Sequence, residues 1–292
     1  MKSLYFYIKH IKTNKKIYIY IYIYMNIDIC SDLHIDQWNK NLEQKYPCGI
    51  RKYNPEINFN SNNNILILAG DISDNLDLNI NFINNLSNKY KYILFIDGNH
   101  EHVEKYPSLY SKEYIFKKIK KYGCKNLIYL PYNDFILDKT VFIGCCGWWD
   151  YNNFNISDIN NSLNYFDNWI SDLSKSDSRE FIYNVYERSK LEYKELIEKL
   201  EKYQNDSNIN NIIIVTHSQP RIKFTSIDLS TEINTKFEDI TKKNYSKLNS
   251  WIFGHTHEQI IEKTDINYIC NPRGRPEDYD REDYSIYNLK LE

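Results

Sequence analysis

Short apolar runs recur along this sequence, and five of them end in a group of Asp, Asn or His residues. The runs cover residues 26–30, 64–69, 91–96, 211–216 and 250–253. Nearly continuous apolar runs of this length are typical of strands that are buried on both faces of a sheet. Helical patterns at 78–89 and 109–122 accompany the early runs. The sequence therefore predicts βαβ units and an α/β fold whose strands are at least partly parallel.

The polar groups that follow the runs are rich in metal-ligating residue types. They are Asp32-Leu33-His34, Gly70-Asp71-Ile72-Ser73-Asp74, Gly98-Asn99-His100-Glu101, His217 and Gly254-His255-Thr256-His257. These groups hold five of the seven histidines of the chain. Because ligands gather at the carboxyl ends of parallel strands, we expect the groups to meet at one edge of the sheet. Mixed nitrogen and oxygen ligands without thiolates favour Mn, Fe, Zn or Co.

Composition narrows the class of partner. The chain has 292 residues, 42% of them hydrophobic and 26% charged, with a formal net charge of −2. This balance is typical of soluble domains and provides no basic field for nucleic acid or for a membrane. None of the six cysteines stands in CxxC spacing. Scattered cysteines favour a reducing compartment, so we expect a cytoplasmic protein. No pattern sets an oligomeric state, and no phosphate-binding loop or dinucleotide fingerprint indicates a nucleotide cofactor.

The first 24 residues are interpreted separately from the rest. Residues 17–24 repeat Ile-Tyr four times, which is too short for a membrane span of about 20 apolar residues. The alternation also fits a strand. We favour instead the interpretation that residues 1–24 are a poorly ordered N-terminal extension and that the domain covers 25–292, starting at Met25. Further expected elements are a hairpin at 134–146, a long helix at 179–204 and an insertion or flap at 151–178.

The motifs, in this order, resemble the calcineurin-like metallophosphoesterase superfamily. Its pattern is Asp-X-His, Gly-Asp-X-X-Asp, Gly-Asn-His-(Asp/Glu), a later His and Gly-His-X-His, and it spans Asp32 to His257 here. The segments 250–257 and 270–274 resemble small members from microbes and viruses. The resemblance implies a four-layer αββα sandwich. In that fold, two mixed β-sheets are flanked by helices, and the metal site lies at the strand C-terminal ends.

The same resemblance implies roles for individual residues. Its seven metal ligands are Asp32, His34 and His257 for one ion, Asn99, His217 and His255 for the other, and Asp71 between them. His100 is implied as the general acid, with Asp74 orienting its ring. The two ions, divalent or trivalent and most simply Mn, Fe or Zn, would supply a bridging hydroxide as nucleophile. The expected reaction is hydrolysis of a phosphate monoester or diester, in a small molecule or another phosphorylated substrate.

Departures from the pattern shape the expected specificity. The protein Ser/Thr phosphatases of the superfamily carry an arginine after the second Asp of Gly-Asp-X-X-Asp, whereas Asn75 follows Asp74 here. We therefore expect a different branch. Arg273, in Asn-Pro-Arg-Gly, is a candidate phosphate contact instead. Two alternative functions remain open: a non-catalytic interaction scaffold with this fold, and a nuclease, although nothing in the composition supports nucleic acid as a partner.

Several neighbouring residues receive more modest interpretations. Glu101 is expected to be structural, and His102 to be exposed to solvent. Trp148 and Trp149 fit either a core pair or the wall of a substrate pocket, and aromatic pairs more commonly belong to the core.

Overall fold

The structure is a computed structural model. It describes residues 7–13, 16–22, 25–38, 57–59, 63–169, 175–224, 232–276, 278 and 284–291. The expected flap at 151–178 thus lies partly outside the described residues.

The regular elements follow the apolar and amphipathic runs closely. The strands are β1 (Tyr7–Thr13), β2 (Lys16–Tyr22), β3 (Met25–Cys30), β4 (Ile65–Ala69), β5 (Tyr92–Ile96), β6 (Leu127–Tyr129), β7 (Phe135–Leu137), β8 (Thr140–Cys145), β9 (Asn211–Thr216), β10 (Leu248–Phe253), β11 (Ile260–Lys263), β12 (Asn267–Cys270) and β13 (Tyr287–Leu291). The longer helices are α1 (Leu76–Leu86), α2 (Lys112–Tyr122), α3 (Ile156–Trp169), α4 (Lys175–Gln204) and α5 (Thr235–Lys242). Short 3₁₀ turns cover His100–Lys105 and Ile222–Phe224, and Tyr151–Phe154 is a turn with positive φ throughout.

Local chemistry explains where the first two helices begin and end. The side chain of Asn75 accepts a hydrogen bond from the Leu78 amide at 2.8 Å and caps α1, which begins at Leu76, two residues before the predicted start. Ser111 caps α2 in the same way, and Gly123 ends it in the left-handed conformation at φ 73°. The glycine stop was predicted from the sequence, whereas both starts were displaced by their capping residues.

Two mixed β-sheets form the centre of the fold, as the resemblance implied. In the five-stranded sheet, of order β13-β3-β4-β5-β6, β3 to β6 are parallel and β13 is antiparallel to β3. In the six-stranded sheet, of order β11-β12-β10-β9-β8-β7, the inner four strands are parallel and the two edge strands antiparallel. The predicted hairpin at 134–146 is β7–β8. Strands β1 and β2 pair with each other as a separate sheet, and the interpretation of 1–24 as an extension stays a prediction.

Strand alternation builds four layers from these sheets. Alternate residues of a strand point to opposite faces, and both faces are apolar here. Ile67 of β4 packs between the sheets with Val215 of β9, whereas its neighbour Leu68 packs outward with Ile83 of α1. The outer face of the six-stranded sheet packs against α4 and α5 in the same manner. The helix–sheet–sheet–helix sandwich is therefore confirmed. Among the described residues, no helix is long and apolar enough to span a membrane.

Candidate metal centre

Five strand ends, three from one sheet and two from the other, converge at one place. Backbone hydrogen bonds join the loop after β3 to that after β4, and the loop after β9 to that after β10. Between the two sheets, the backbone N–H of His255 donates to Oδ1 of Asp32 at 2.9 Å. Five predicted ligands lie in the left-handed region: Asp32 (φ 49°), His34 (41°), Asp71 (56°), His255 (72°) and His257 (53°). Such backbone strain persists only where the surroundings impose it, and it is concentrated at functional sites.

The side chains at these strand ends form three overlapping clusters, in each of which the ligand atoms lie within 4.8 Å of one another. The clusters are Asp32–His34–His257, His34–Asp71–His100 and Asp71–His217–His255. His34 and Asp71 each belong to two of them, so the three clusters are continuous. The Asn99 side-chain oxygen lies 3.1 Å from Nε2 of His217 and joins the third cluster.

The individual distances define two adjoining groups of ligand atoms. In the first group, Nε2 of His34 and Nε2 of His257 are 3.1 Å apart, and the latter is 3.6 Å from Oδ1 of Asp32. In the second group, Nε2 of His217 lies 3.1 Å from Oδ2 of Asp71. The fully buried Asp32 also has an oxygen, Oδ2, with no hydrogen-bond partner among the described residues. A buried carboxylate oxygen without a partner is costly, so this donor set fits a bound cation.

Glycine permits this close approach at two strand ends. A Cβ atom added to Gly254 would stand 2.7 Å from Oδ2 of Asp32, and one added to Gly98 would collide with Oδ1 of Asp71. Both contacts are with side chains of predicted ligands. The glycines that precede the ligand groups therefore let one loop approach the carboxylates of another.

Charge coupling inside the cluster favours metal binding. Burial holds the pKa of His34 well below its usual value, so this imidazole is neutral and free to coordinate. Burial also lowers the pKa of His217, but the Asp71 carboxylate outweighs it and raises the pKa to about 10. A cation beside Asp71 would take over the role that the His217 proton plays in balancing its charge.

His100 lies beside the cluster with a carboxylate at each side. Its Nδ1 is 2.5 Å from Oδ1 of Asp74, and its Nε2 is 3.8 Å from Oδ2 of Asp71. Burial lowers the pKa of His100, but Asp71 and Asp74 together raise it above the usual value. The Asp74 contact fixes the ring so that Nε2 faces the ligand cluster.

Glu101 is a buried anchor for two ligand loops. One carboxylate oxygen accepts from the backbone N–H of Asp71 at 2.9 Å and of Gly98 at 2.6 Å. The other accepts from the Ile72 N–H at 2.7 Å and from the Asn79 side-chain amide at 2.9 Å. Four donors therefore meet one carboxylate, which agrees with the structural role expected from the sequence.

We predict that Glu101→Gln lowers the free energy of unfolding of the metal-free protein by roughly 3 kcal/mol. The amide N–H₂ of Gln cannot accept the two hydrogen bonds that one carboxylate oxygen of Glu101 accepts. Urea unfolding measures the change. Glu104→Gln is the matched control: Glu104 lies on the same 3₁₀ turn but is exposed and contacts Asn75. Equal stability of the two variants would contradict the anchoring role.

His102 corrects one expectation. It was expected to be exposed, yet it is fully buried, with Nε2 2.7 Å from Oδ2 of Asp97 and Nδ1 accepting from the Tyr110 N–H at 2.9 Å. The prediction was wrong because Asp97, at the end of a buried strand, needs a partner that solvent cannot provide. Trp148 and Trp149 are core residues, and the Trp149 ring stacks on His255 at a centroid distance of 5.5 Å.

Two arginines follow β12 and occupy different environments. The buried Arg273 guanidinium lies 4.1 Å from the centre of the Trp38 ring, and its phosphate role stays a prediction. Arg275, which no motif indicated, places Nη2 3.0 Å from Nε2 of His100. Asp278 also lies outside the motifs, and its Oδ2 is 2.7 Å from Nδ1 of His257. A second arginine two positions after the first was the available signal for Arg275; none pointed to Asp278.

The fold is shared with solved phosphohydrolase structures. The phosphopantetheinyl hydrolase from Mycobacterium tuberculosis superposes with a TM-score of 0.60 at 13% identity, over 91% of this chain and 95% of that one. A dimetal phosphatase from Danio rerio superposes with a TM-score of 0.56 at 10% identity, over 91% and 92%. No curated protein sequence matches the chain significantly.

The sequence model of the calcineurin-like phosphoesterases matches residues 25–259, which is most of the chain. The chain belongs to this family, as its motifs indicated. It is accordingly a metal-dependent phosphoesterase, that is, a hydrolase of phosphate esters. The family implies bound divalent metal ions, and the clusters of Asp and His side chains are where they would be held.

Proposed function

We propose that this protein hydrolyses a phosphate monoester or diester at a centre of two metal ions, with His100 as the general acid. The observation that carries the proposal is the continuity of the ligand clusters through Asp71. A carboxylate shared between neighbouring groups of ligands is what a pair of ions about 3.5–4 Å apart requires.

Seven side chains would hold the two ions. They are Asp32, His34 and His257 for the first, Asn99, His217 and His255 for the second, and Asp71 for both. When bound, the ions supply Lewis acidity toward the phosphoryl group and activate water for attack. Manganese, iron and zinc all suit this donor set.

His100, oriented by Asp74, would protonate the leaving oxygen. Asp74 holds Nδ1 of His100, so the proton to be donated sits on Nε2, the atom that faces Asp71 and the ligand cluster. A proton given from Nε2 to the departing oxygen neutralises the charge that develops as the ester bond breaks. Negative charge on Asp71 and Asp74 keeps that proton available, since both raise the pKa of His100 against the effect of burial.

The test compares a chromogenic phosphate monoester with the matching diester. Purified protein is freed of metal by chelation and reloaded with Mn²⁺, Fe²⁺ or Zn²⁺ in parallel. Hydrolysis that disappears on chelation and returns with a metal is the expected result, and the faster ester identifies the substrate class. Metal-loaded protein that hydrolyses neither ester would contradict the enzymatic proposal and favour the interaction scaffold.

A further inference from the structure

The segment that follows β12 is tied to the metal centre on two sides. The backbone N–H of Gly274 donates to the Asp32 carbonyl at 2.8 Å, at the loop that carries two predicted ligands. The Arg275 N–H donates to Oδ2 of Asp278 at 2.6 Å, and the same oxygen lies 2.7 Å from Nδ1 of His257. One carboxylate therefore fixes both a predicted ligand and the backbone of Arg275.

From this fixed backbone, the Arg275 guanidinium extends toward the candidate metal centre. Its Nη2 lies 3.0 Å from Nε2 of His100, the atom from which the leaving oxygen would take its proton. Its Nε is buried and has no hydrogen-bond partner among the described residues. A guanidinium carries five N–H donors and no acceptor, so a buried donor without a partner calls for an acceptor from elsewhere.

Nη2 of Arg275 and Nε2 of His100 lie 3.0 Å apart, so both nitrogens face the same place beside the ligand cluster. A phosphoryl group brings oxygens that accept from both, and the planar guanidinium suits two of them at once.

We infer that Arg275 is a substrate-binding residue that contacts a non-bridging phosphoryl oxygen, and that Asp278 positions it. This inference rests on the proposed function, because it assumes that a phosphate ester binds beside His100. The phosphate role of Arg273, whose guanidinium lies on the Trp38 ring, stays a separate prediction.

Binding of inorganic phosphate to manganese-loaded protein tests the inference without relying on turnover. We expect calorimetry to show about ten- to hundredfold weaker phosphate binding for Arg275→Gln, the loss of one charged hydrogen-bonding group. Arg275→Lys retains the charge but not the planar pair of N–H donors, and should show a smaller loss of phosphate affinity. Lys223→Gln removes a positive charge from the surface, where the amine pairs with Glu262 at 2.6 Å, and should bind phosphate as the wild type does. Metal content and thermal unfolding are measured on each variant.

The possible outcomes distinguish failure of the inference from failure of the proposed function. Wild-type affinity in both Arg275 variants overturns the inference, as does a loss shared equally by Lys223→Gln. Weaker phosphate binding that simply follows loss of manganese also overturns it, because Arg275 would then act through the metal site. If the wild type takes up manganese but neither binds phosphate nor hydrolyses an ester, the proposed function fails as well. If it hydrolyses an ester while Arg275→Gln keeps full phosphate affinity, only the inference fails.

Discussion

Asp71→Asn is expected to lower phosphoesterase turnover by about 10³-fold or more and, in manganese-loaded protein, to reduce the metal content below the proposed two ions per chain. The substitution keeps the shape of the side chain and the oxygen, Oδ1, that accepts from the backbone N–H of His100 at 2.9 Å. It removes the charge shared between two ligand clusters. A loss of several kcal/mol of charge stabilisation in the transition state corresponds to that reduction in rate. Turnover of a chromogenic ester and metal content by atomic absorption are the two measurements.

Asp77→Asn is the matched control for this experiment. Asp77 also follows β4, but its carboxylate pairs with Lys118 at 3.0 Å and with the Tyr122 hydroxyl at 2.6 Å, on the outer helices. We expect near wild-type turnover and metal content from it. Two tightly held ions in Asp71→Asn would contradict the bridging role, even if activity fell.

His100→Asn is expected to lower hydrolysis of an alkyl phosphate ester by about 10²–10⁴-fold, the usual contribution of a general acid. A nitrophenyl ester should lose far less, because its leaving group departs as a stable anion and needs little help from a proton. The ratio between the two esters, measured on the same preparation, is therefore the informative quantity. It is independent of the fraction of active protein.

The ratio also separates proton donation from simple positioning. An equal loss on both esters, with full metal content, would mean that His100 holds the substrate without protonating it. No loss on either ester would remove it from the reaction. Asp74→Asn should change the ratio in the same direction but less, because it removes only the charge opposite Nδ1.

The parts of the fold that could be predicted are those that repeat a local physical pattern. The strand at Asn211–Thr216 has its predicted bounds, because polar residues delimit a continuous apolar run at both ends. The ligand loops could be predicted to meet because parallel strands bring their carboxyl ends together. Helix starts were less accurate, since Asn75 and Ser111 act through a single hydrogen bond each.

The parts that could not be predicted depend on contacts between distant segments. Burial of His102 depends on Asp97 and Tyr110 enclosing it, and no periodic pattern encodes that enclosure. Arg275 and Asp278 belong to a segment without a repeat or a ligand motif. Their side chains contact His100 and His257, which lie 175 and 21 positions away along the chain.

The division of the ligand loops between the two sheets has a consequence for how activity relates to folding. Asp32 and Asp71 follow strands of the five-stranded sheet, whereas His217 and His255 follow strands of the six-stranded sheet. Neither sheet alone holds a full set. Contacts between such distant segments form late, since chain entropy opposes their closure. The ligand set is therefore complete only when the two sheets are packed together, so measured activity reports on the folding of the whole sandwich.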